Sequence, residues 1–299
     1  MNMVYECDSR SPHAARRILS EYGGCVVRRL LPVEVAKAIA SDLGAIIVQH
    51  GWSPGPTDNP LPRSGEFPLD DVQRLIINEF CIQRSIQEAP HAAEIRLFFD
   101  DFFGESAFLH PIIYPRIGAP SRATLAKDIT APHQDYLHIQ GSRRTTTAWL
   151  ALTSCGNDDG ALEFAAGTHH GPLYPRVALV GPSPTDGFHW IRPSYEPGDV
   201  LLFDALTVHR ARANRGNRFR LSMDFRMQPL SEPVCDESIA SCYVNGISWE
   251  KIYSQIFDNR IRYYWKRKSP RVVVPFNRTL ALTPEPIQFK SSSDVNRVV

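Results

Sequence analysis

The middle of the chain, from about residue 108 to about residue 230, constrains the fold more than any other part of the sequence. Short apolar or alternating segments recur there between turn residues. Alternation with a period of two is typical of β-strands that are buried on one face. The clearest of these segments are residues 145–152, 161–164, 188–191, 199–204 and 219–227. Several short strands at this spacing predict an antiparallel barrel or sandwich.

Helical spacing dominates the residues before this β region. Helices are predicted from Pro12 to about Tyr22, from near Pro32, and after the Asp70-Asp71 pair. Residues 52–67 are rich in proline, glycine and polar side chains, which predicts a loop. We therefore expect helices that buttress a sheet.

The chain is predicted to form a single domain with three segments. Residues 1–107 are expected to supply a helical buttress with a first strand, residues 108–230 the β core, and residues 231–299 a C-terminal extension. In the extension, Ser248 can cap a helix with one apolar face. That face is formed by Trp249, Ile252, Tyr253, Ile256 and Phe257.

Residues 260–268 of the extension combine basic and aromatic side chains. The favoured interpretation is a packed aromatic stripe with a solvated cationic face. A subunit contact, a lid over an anionic substrate and a nucleic-acid patch are the alternatives. The extension is thus a candidate surface for homo-oligomer formation.

Composition narrows the function classes. The 299 residues include 33 basic and 32 acidic side chains, a net charge of +1, so no global field attracts nucleic acid or an anionic membrane. No apolar window is long enough to span a bilayer, and the first residues do not resemble a targeting segment. The six cysteines are scattered, which is typical of reduced thiols. A soluble cytoplasmic protein that contacts neither membrane nor nucleic acid is expected.

Three side chains in the β region are candidate metal ligands. His133 and Asp135 are separated by one residue, so a strand would present both on the same face. Such a pair arises easily by chance, and a third candidate is needed. His209, which follows the apolar segment 200–203, is that candidate. Two imidazoles and one carboxylate suit Fe(II) with about three positions left open, although Mn, Co or Zn can bind the same set.

The segment 219–227 alternates between polar and apolar side chains. One face carries Arg220, Ser222, Asp224 and Arg226, and the other carries Leu221, Met223 and Phe225. If the apolar face packs against helices, the polar face lines a barrel interior, where an unpaired guanidinium is costly. A carboxylate ligand held by Arg220 and Ser222 would remove that cost. The alternatives are an ion pair between Arg220 and Asp224, or a solvent-exposed face.

The order and spacing of these motifs resemble the phytanoyl-CoA dioxygenase family of Fe(II)- and 2-oxoglutarate-dependent oxygenases, over roughly residues 18–230. The matching segments are residues 24–27, 133–135, 148–152, 159–164, 167–169 and 198–203, followed by His209, Asn214 and Arg220. Ala166 stands where the family usually has proline. Asp135 is present where related halogenases carry a small residue, which favours oxygenation.

The resemblance implies a fold and a set of site residues. The fold would be mainly β with flanking α-helices around a double-stranded β-helix, a jelly-roll of the cupin type. Iron would bind His133, Asp135 and His209, and these ligands would be the only catalytic residues. The distal carboxylate of 2-oxoglutarate would bind Arg220 and Ser222, with Gln134 and Trp149 nearby. Dioxygen would complete the set of reactants.

The resemblance also implies the reaction class. We expect oxidation of a small molecule, most simply its hydroxylation, with release of succinate and CO2 and a place in specialised metabolism. Desaturation, epoxidation, ring formation and epimerisation use the same ligands and stay open. A non-catalytic β-helix protein that binds an anionic partner through its basic tail is the alternative from another class. Arg116, His138 and Arg218 are candidate substrate residues.

Overall fold

Residues Arg220–Pro229 form a ten-residue strand that is buried along its whole length and organises the larger sheet. The computed structural model describes residues 5–55, 57–58, 60–63, 67–121, 130–175, 187–240, 247–268 and 272–282. Its strands are β1 Glu6–Asp8, β2 Gly24–Arg28, β3 Ala107–Leu109, β4 Tyr114–Gly118, β5 Thr130–His133, β6 Thr146–Ala151, β7 Leu162–Ala165, β8 Trp190–Ile191, β9 Val200–Asp204, β10 His209–Ala211, β11 Arg220–Pro229, β12 Val234–Cys235 and β13 Val273–Val274.

The helices precede, interrupt and follow this β region. They are α1 Pro12–Tyr22, α2 Val33–Gln49, α3 Leu69–Leu75, α4 Arg84–Glu88, α5 Ala93–Phe103, α6 Tyr136–Ile139, α7 Trp249–Ile252, α8 Tyr264–Arg267 and α9 Arg278–Leu282. A π-helical turn, Ile76–Phe80, continues α3. Short 3-10 turns lie at Ala89–His91, Thr168–His170 and Asp236–Ser238.

Two sheets face each other. The larger has seven strands in the order β1-β2-β9-β6-β11-β3, with β4 also paired to β11, and the smaller has the order β5-β10-β7-β8. Every pair in these sheets is antiparallel except β1 with β2. The predicted strands in segments 145–152, 161–164, 188–191, 199–204 and 219–227 are all present.

Alternation along the strands separates two apolar layers. In β11, Leu221, Met223 and Phe225 are buried in the core that also contains residues of α1, α2 and α5. A second cluster lies between the sheets and includes Trp149 of β6 and Phe164 of β7. The larger sheet is therefore covered by helices on one face and by the smaller sheet on the other.

The predicted N-terminal helices are confirmed. Helix α1 runs from Pro12 to Tyr22 and ends at Gly23, which adopts a left-handed conformation with φ 82°. Helix α2 buries Ala36, Ile39, Leu43, Ile46 and Ile47 but leaves Val35 exposed, and α3 buries Val72 and Leu75. Among the described residues of the 52–67 segment there is neither helix nor strand, as predicted.

The predicted helix of the C-terminal extension is shorter than expected. Ser248 does cap it, because its hydroxyl accepts a hydrogen bond from the Lys251 amide at 3.3 Å, but α7 ends at Ile252. Phe257, assigned to its apolar face, is instead 82% exposed. The rings of Trp249 and Trp265 pack with centroids 4.6 Å apart. This tertiary contact stabilises the short helix, since most helical stability in proteins comes from packing.

The basic aromatic segment packs as the favoured interpretation predicts. Tyr264 and Trp265 are buried in the same core as the helices of the N-terminal segment, while Lys266, Arg267 and Lys268 are exposed. No helix in the described part of the chain is long and apolar enough to cross a membrane. The boundaries of the three segments, the cytoplasmic location and oligomer formation through residues 231–299 stay predictions.

Gly23 allows a test of how α1 is joined to β2. A Cβ at this position would lie 2.6 Å from both His169 Nδ1 and Thr207 Oγ1, in a backbone conformation that disfavours side chains. We expect Gly23→Ala to lower the free energy of unfolding by about 2–4 kcal/mol, measured by urea denaturation. Gly104→Ala is the control, because Gly104 also ends a helix at φ 74° but has open space around its Cβ position. A smaller loss of about 1 kcal/mol is expected there, and equal losses would refute the packing argument.

Candidate metal centre

The pairing of β5 with β10 places two histidines side by side. His209 and His133 are direct partners in this antiparallel register, and their ring centroids are 4.2 Å apart. Asp135 lies two residues after His133, at the N-terminus of α6. The nearest ligand atoms of the three residues all lie within 4.8 Å of one another. The sequence-predicted triad thus converges at one point between the sheets.

Hydrogen bonds orient both imidazoles. His133 Nδ1 is 2.8 Å from the Ala131 carbonyl oxygen, and His209 Nδ1 is 3.0 Å from that of Thr207. A carbonyl can only accept, so each Nδ1 donates, which in the neutral form of an imidazole leaves the lone pair on Nε2. These Nε2 atoms lie 3.5 Å and 3.7 Å from Asp135 Oδ1. Burial, with His133 next to it, lowers the pKa of His209 to about 3, so this ring is neutral.

Asp135 is held through its other oxygen. Its Oδ2 accepts hydrogen bonds from Thr147 Oγ1 at 2.6 Å and from Arg226 Nη2 at 3.1 Å. Burial alone would raise the pKa of this carboxyl, but Arg226 and the two histidines outweigh burial, and the pKa lies well below its usual range. Asp135 is therefore an ionised carboxylate whose Oδ1 points towards the histidines.

The donor set fits iron. Two imidazoles with available Nε2 lone pairs and one carboxylate oxygen, on one side of a cavity, match the facial arrangement of non-haem Fe(II) sites. The hydrogen bonds to Nδ1 and to Asp135 Oδ2 are the kind of outer contacts that orient metal ligands. Among the described residues, no cysteine belongs to this cluster, in contrast to many structural zinc sites.

Arg220 lies on the inner face of β11 beside this cluster. Only 2% of it is exposed, and its Nη1 donates to Ser222 Oγ at 2.6 Å. Its guanidinium carbon lies 5.6 Å from the ring centroid of Trp149, which also lines the cavity. No carboxylate of the described residues forms an ion pair with Arg220, and burial lowers its pKa to about 10. The cavity thus contains a positive charge that would be stabilised by an anion.

Asp224 does not neutralise Arg220, so that alternative is wrong. Its two oxygens instead bind Arg116, with Oδ1 2.7 Å from Nε and Oδ2 3.2 Å from Nη2. Arg226 Nη2 also lies 3.5 Å from Asp224 Oδ2. The inner face of β11 is not solvent-exposed either, since the whole strand is buried.

Gln134 points away from the cavity. Its side-chain nitrogen donates to the carbonyl oxygens of Leu206 at 2.7 Å and Pro172 at 3.1 Å, and its oxygen accepts from the Tyr174 amide at 2.7 Å. His133 is the last residue of β5 and Asp135 is the N-cap of α6, so the single strand expected to carry both ligands is not formed, although both side chains line the cavity. The hydrogen bonds of Gln134 give it a role in joining loops and do not support the prediction that it contacts 2-oxoglutarate.

The three candidate substrate residues are placed differently. Arg116 lines the cavity, and 40% of its side chain is accessible. His138 lies on the exposed side of α6, with its ring centroid 6.4 Å from that of His133. Arg218 is exposed in the turn before β11 and is not among the described residues that line the cavity. Arg116 alone is positioned to meet a molecule in the cavity.

Two residues that bind Asp135 were not assigned to the site from the sequence, although Arg226 was placed on the inner face of its strand. Thr147 and Arg226, the donors to Asp135 Oδ2, face the same interior as Trp149 and Arg220 by strand alternation. Alternation placed Arg226 inside and could have placed Thr147 there as well. It could not have shown which carboxylate they bind, because that depends on the pairing of β6 with β11.

Comparison with known proteins agrees with this geometry. A family model described as phytanoyl-CoA dioxygenase (PhyH) matches residues 19–222, more than half of the chain. The chain belongs to this family. It is an Fe(II)- and 2-oxoglutarate-dependent oxygenase, as the resemblance of the sequence motifs predicted. The non-catalytic alternative is therefore not supported.

Curated relatives of this family member include two distinct enzymes. The 1-deoxypentalenic acid 11-beta-hydroxylase of Streptomyces arenae is 26% identical over 246 residues, which cover 73% of this chain and 81% of the relative. The peroxisomal phytanoyl-CoA dioxygenase of Bos taurus is 28% identical over 145 residues, covering 42% of this chain and 39% of the relative.

A solved structure shows the same fold. The epimerase SnoN, crystallised with Fe3+, alpha ketoglutarate and nogalamycin RO, superposes with a TM-score of 0.58 at 17% identity. The match covers 81% of this chain and 93% of SnoN. The predicted fold class, a double-stranded β-helix with flanking helices, is confirmed.

The placement of Gln134 leads to a prediction about stability. In Gln134→Leu, the backbone groups of Leu206, Pro172 and Tyr174 would lose their buried partner, and we expect the free energy of unfolding to fall by about 2–4 kcal/mol. Denaturation of the metal-free protein measures this loss without involving 2-oxoglutarate. Unchanged stability together with weaker 2-oxoglutarate binding would contradict the structural role and support a cosubstrate contact.

Proposed function

We propose that this oxygenase hydroxylates a small molecule of specialised metabolism and releases succinate and CO2. One observation supports the proposal most strongly. The cluster of His133, Asp135 and His209 lines the same cavity as Arg220, which is buried and forms no ion pair with a described carboxylate. The 11-beta-hydroxylase relative, of which the match covers 81%, supports hydroxylation and a biosynthetic role over an acyl-CoA substrate.

In this proposal the three cluster residues hold iron. Iron bound there, with 2-oxoglutarate and dioxygen, supplies an oxidant strong enough to attack an unactivated C–H bond. His133 and His209 offer their Nε2 atoms because their Nδ1 atoms are committed to backbone carbonyls. Asp135 offers Oδ1 because Oδ2 is committed to Thr147 and Arg226.

Arg220 and Ser222 bind the distal carboxylate of 2-oxoglutarate. A guanidinium can grip a carboxylate with two parallel hydrogen bonds, and these are strong in a dry cavity. The 2.6 Å hydrogen bond from Arg220 to Ser222 fixes the guanidinium in advance, so less side-chain entropy is lost on binding. Trp149 covers the guanidinium and excludes water from it.

The substrate occupies the rest of the cavity. Apolar side chains of Val72, Ile76 and Ile117 line it, and Gln73 and Arg116 add polar groups. Such a wall suits a compact molecule with an apolar body and a polar substituent. The segments expected to shape substrate choice, residues 52–67, 115–131 and 171–187, include 56, 59, 64–66, 122–129 and 176–186, which lie outside the described residues.

The role of Arg220 can be tested with two cosubstrates. We expect Arg220→Gln to raise the KM for 2-oxoglutarate by about 10–1,000-fold, because a charge-assisted bidentate contact contributes about 1.5–4 kcal/mol. Succinate release measures this effect. Pyruvate, which has the keto acid group but no distal carboxylate, is the matched comparison, and its weak binding should be unaffected. An equal loss for both would point to general damage.

The reaction outcome is tested by isotope labelling. A screen of uncoupled succinate release across terpenoid acids, polyketides, sugars and amino acids would identify a substrate. With 18O2, hydroxylation converts one C–H to C–OH and places one labelled oxygen in the product, which adds about 18 mass units. An unlabelled product that has lost two hydrogens would indicate desaturation or ring formation, and an unlabelled isomer would indicate epimerisation. Either of these would overturn the hydroxylation proposal.

A further inference from the structure

Arg226 is a buried cation between two carboxylates on the inner face of β11. Only 9% of it is exposed, and its Nη2 lies 3.1 Å from Asp135 Oδ2 and 3.5 Å from Asp224 Oδ2. Its buried Nε has no hydrogen-bond acceptor in the described part of the chain. The guanidinium is thus largely desolvated, and its contacts with the two carboxylates compensate for the cost of desolvation.

Thr147 approaches Asp135 from the neighbouring strand. Thr147 and Arg226 are direct partners in the register of β6 with β11, so one cross-strand pair supplies both hydrogen-bond donors. The Thr147 hydroxyl lies 2.6 Å from the same oxygen, Asp135 Oδ2. Both positions lie in regular strand, which fixes their backbones better than a loop would.

The two donors leave Asp135 with one available oxygen. Oδ2 is engaged twice, while Oδ1 lies 3.5 Å from His133 Nε2 and 3.7 Å from His209 Nε2. A carboxylate without such donors can turn to present both oxygens to a cation, or turn away from it. The donors to Oδ2 therefore determine how many positions around the metal the protein itself would occupy.

We propose that Arg226 and Thr147 are positioning residues that hold Asp135 as a ligand through Oδ1 alone. This rests on the proposed iron site, and it goes beyond that site by assigning the control of Asp135 to two residues outside the triad. Holding Asp135 to one oxygen keeps positions open for the keto acid and dioxygen.

An arginine is needed at residue 226 because the side chain must reach two carboxylates. Asp224 is itself held by Arg116, at 2.7 Å and 3.2 Å, so it cannot move freely to meet a shorter cation. Arg226 Nη2 contacts both carboxylates, at the end of a side chain that reaches further than lysine. Arg226→Lys is accordingly expected to behave more like Arg226→Gln than like the wild type.

Metal affinity tests the proposal without relying on turnover. Under anaerobic conditions, calorimetry gives the Kd for Fe(II), and the visible charge-transfer absorption of the Fe(II) and 2-oxoglutarate complex reports the ligand arrangement. We expect Arg226→Gln and Thr147→Val each to weaken Fe(II) binding by about 10–100-fold and to shift that absorption. Thr147→Ser, which keeps the hydroxyl, should restore both properties.

Matched controls separate positioning from general destabilisation. Arg28 lies on β2 of the same sheet, and its Nη1 is 2.6 Å from Oδ2 of another buried carboxylate, Asp199. Arg28→Gln removes this ion pair. Thr146→Val removes the neighbouring hydroxyl, which bonds to the Arg144 carbonyl at 3.4 Å. Both controls should keep the wild-type Kd and absorption.

Three results would overturn the inference. These are wild-type Fe(II) affinity and absorption in both Arg226→Gln and Thr147→Val, failure of Thr147→Ser to restore them, or equal losses in the controls. If Arg226→Gln does not fold, the Thr147 pair still decides the matter. Failure of the proposed function would look different, because the wild-type protein itself would then bind neither Fe(II) nor 2-oxoglutarate.

Discussion

The structure depends on β11 facing two incompatible environments at once. Leu221, Met223 and Phe225 pack into the helix-covered core, while the alternating residues put charged side chains between the sheets. A shift of one residue in register would bury the charges among the helices and place the apolar side chains in the cavity. The helical layer therefore does more than cover the sheet, because its apolar surface fixes which face of β11 becomes the site.

The charges between the sheets follow from that arrangement. Arg116 and Arg226 are compensated by Asp224 and Asp135, through contacts between 2.7 Å and 3.5 Å. Arg220 is the basic group on this wall that no described carboxylate compensates. A buried cation without a partner is unfavourable in the isolated protein, and it favours binding of an anion of matching shape. The uncompensated charge of Arg220 thus favours binding of a carboxylate over a neutral group.

Sequence patterns predicted the parts of this site that depend on strand alternation. The period of two put His133 with Asp135 and Arg220 with Ser222, and the apolar segment before His209 marked that residue as the third ligand on a distant strand. Alternation alone cannot show which strands pair, so the joint hold of Thr147 and Arg226 on Asp135 was not foreseen. The orientation of Gln134 shows a related limit. Its side-chain amide donates hydrogen bonds to the carbonyl oxygens of Pro172 and Leu206, in two loops whose positions cannot be predicted from local sequence patterns.

Different parts of the chain form the walls of the cavity. The residues proposed to activate oxygen therefore lie apart from those proposed to select the substrate. His209 lies on β10 and Arg220 on β11, and each of these strands pairs with a strand on both sides, which restricts movement. His133 lies on the edge strand β5. Val72, Gln73 and Ile76 come from α3 and its π-helical continuation, outside the β core. A π-helical turn is costly to form and often marks a functional site. Because this wall contributes none of the oxygen-activating groups, its side chains can change with the substrate while the strands keep the same reaction.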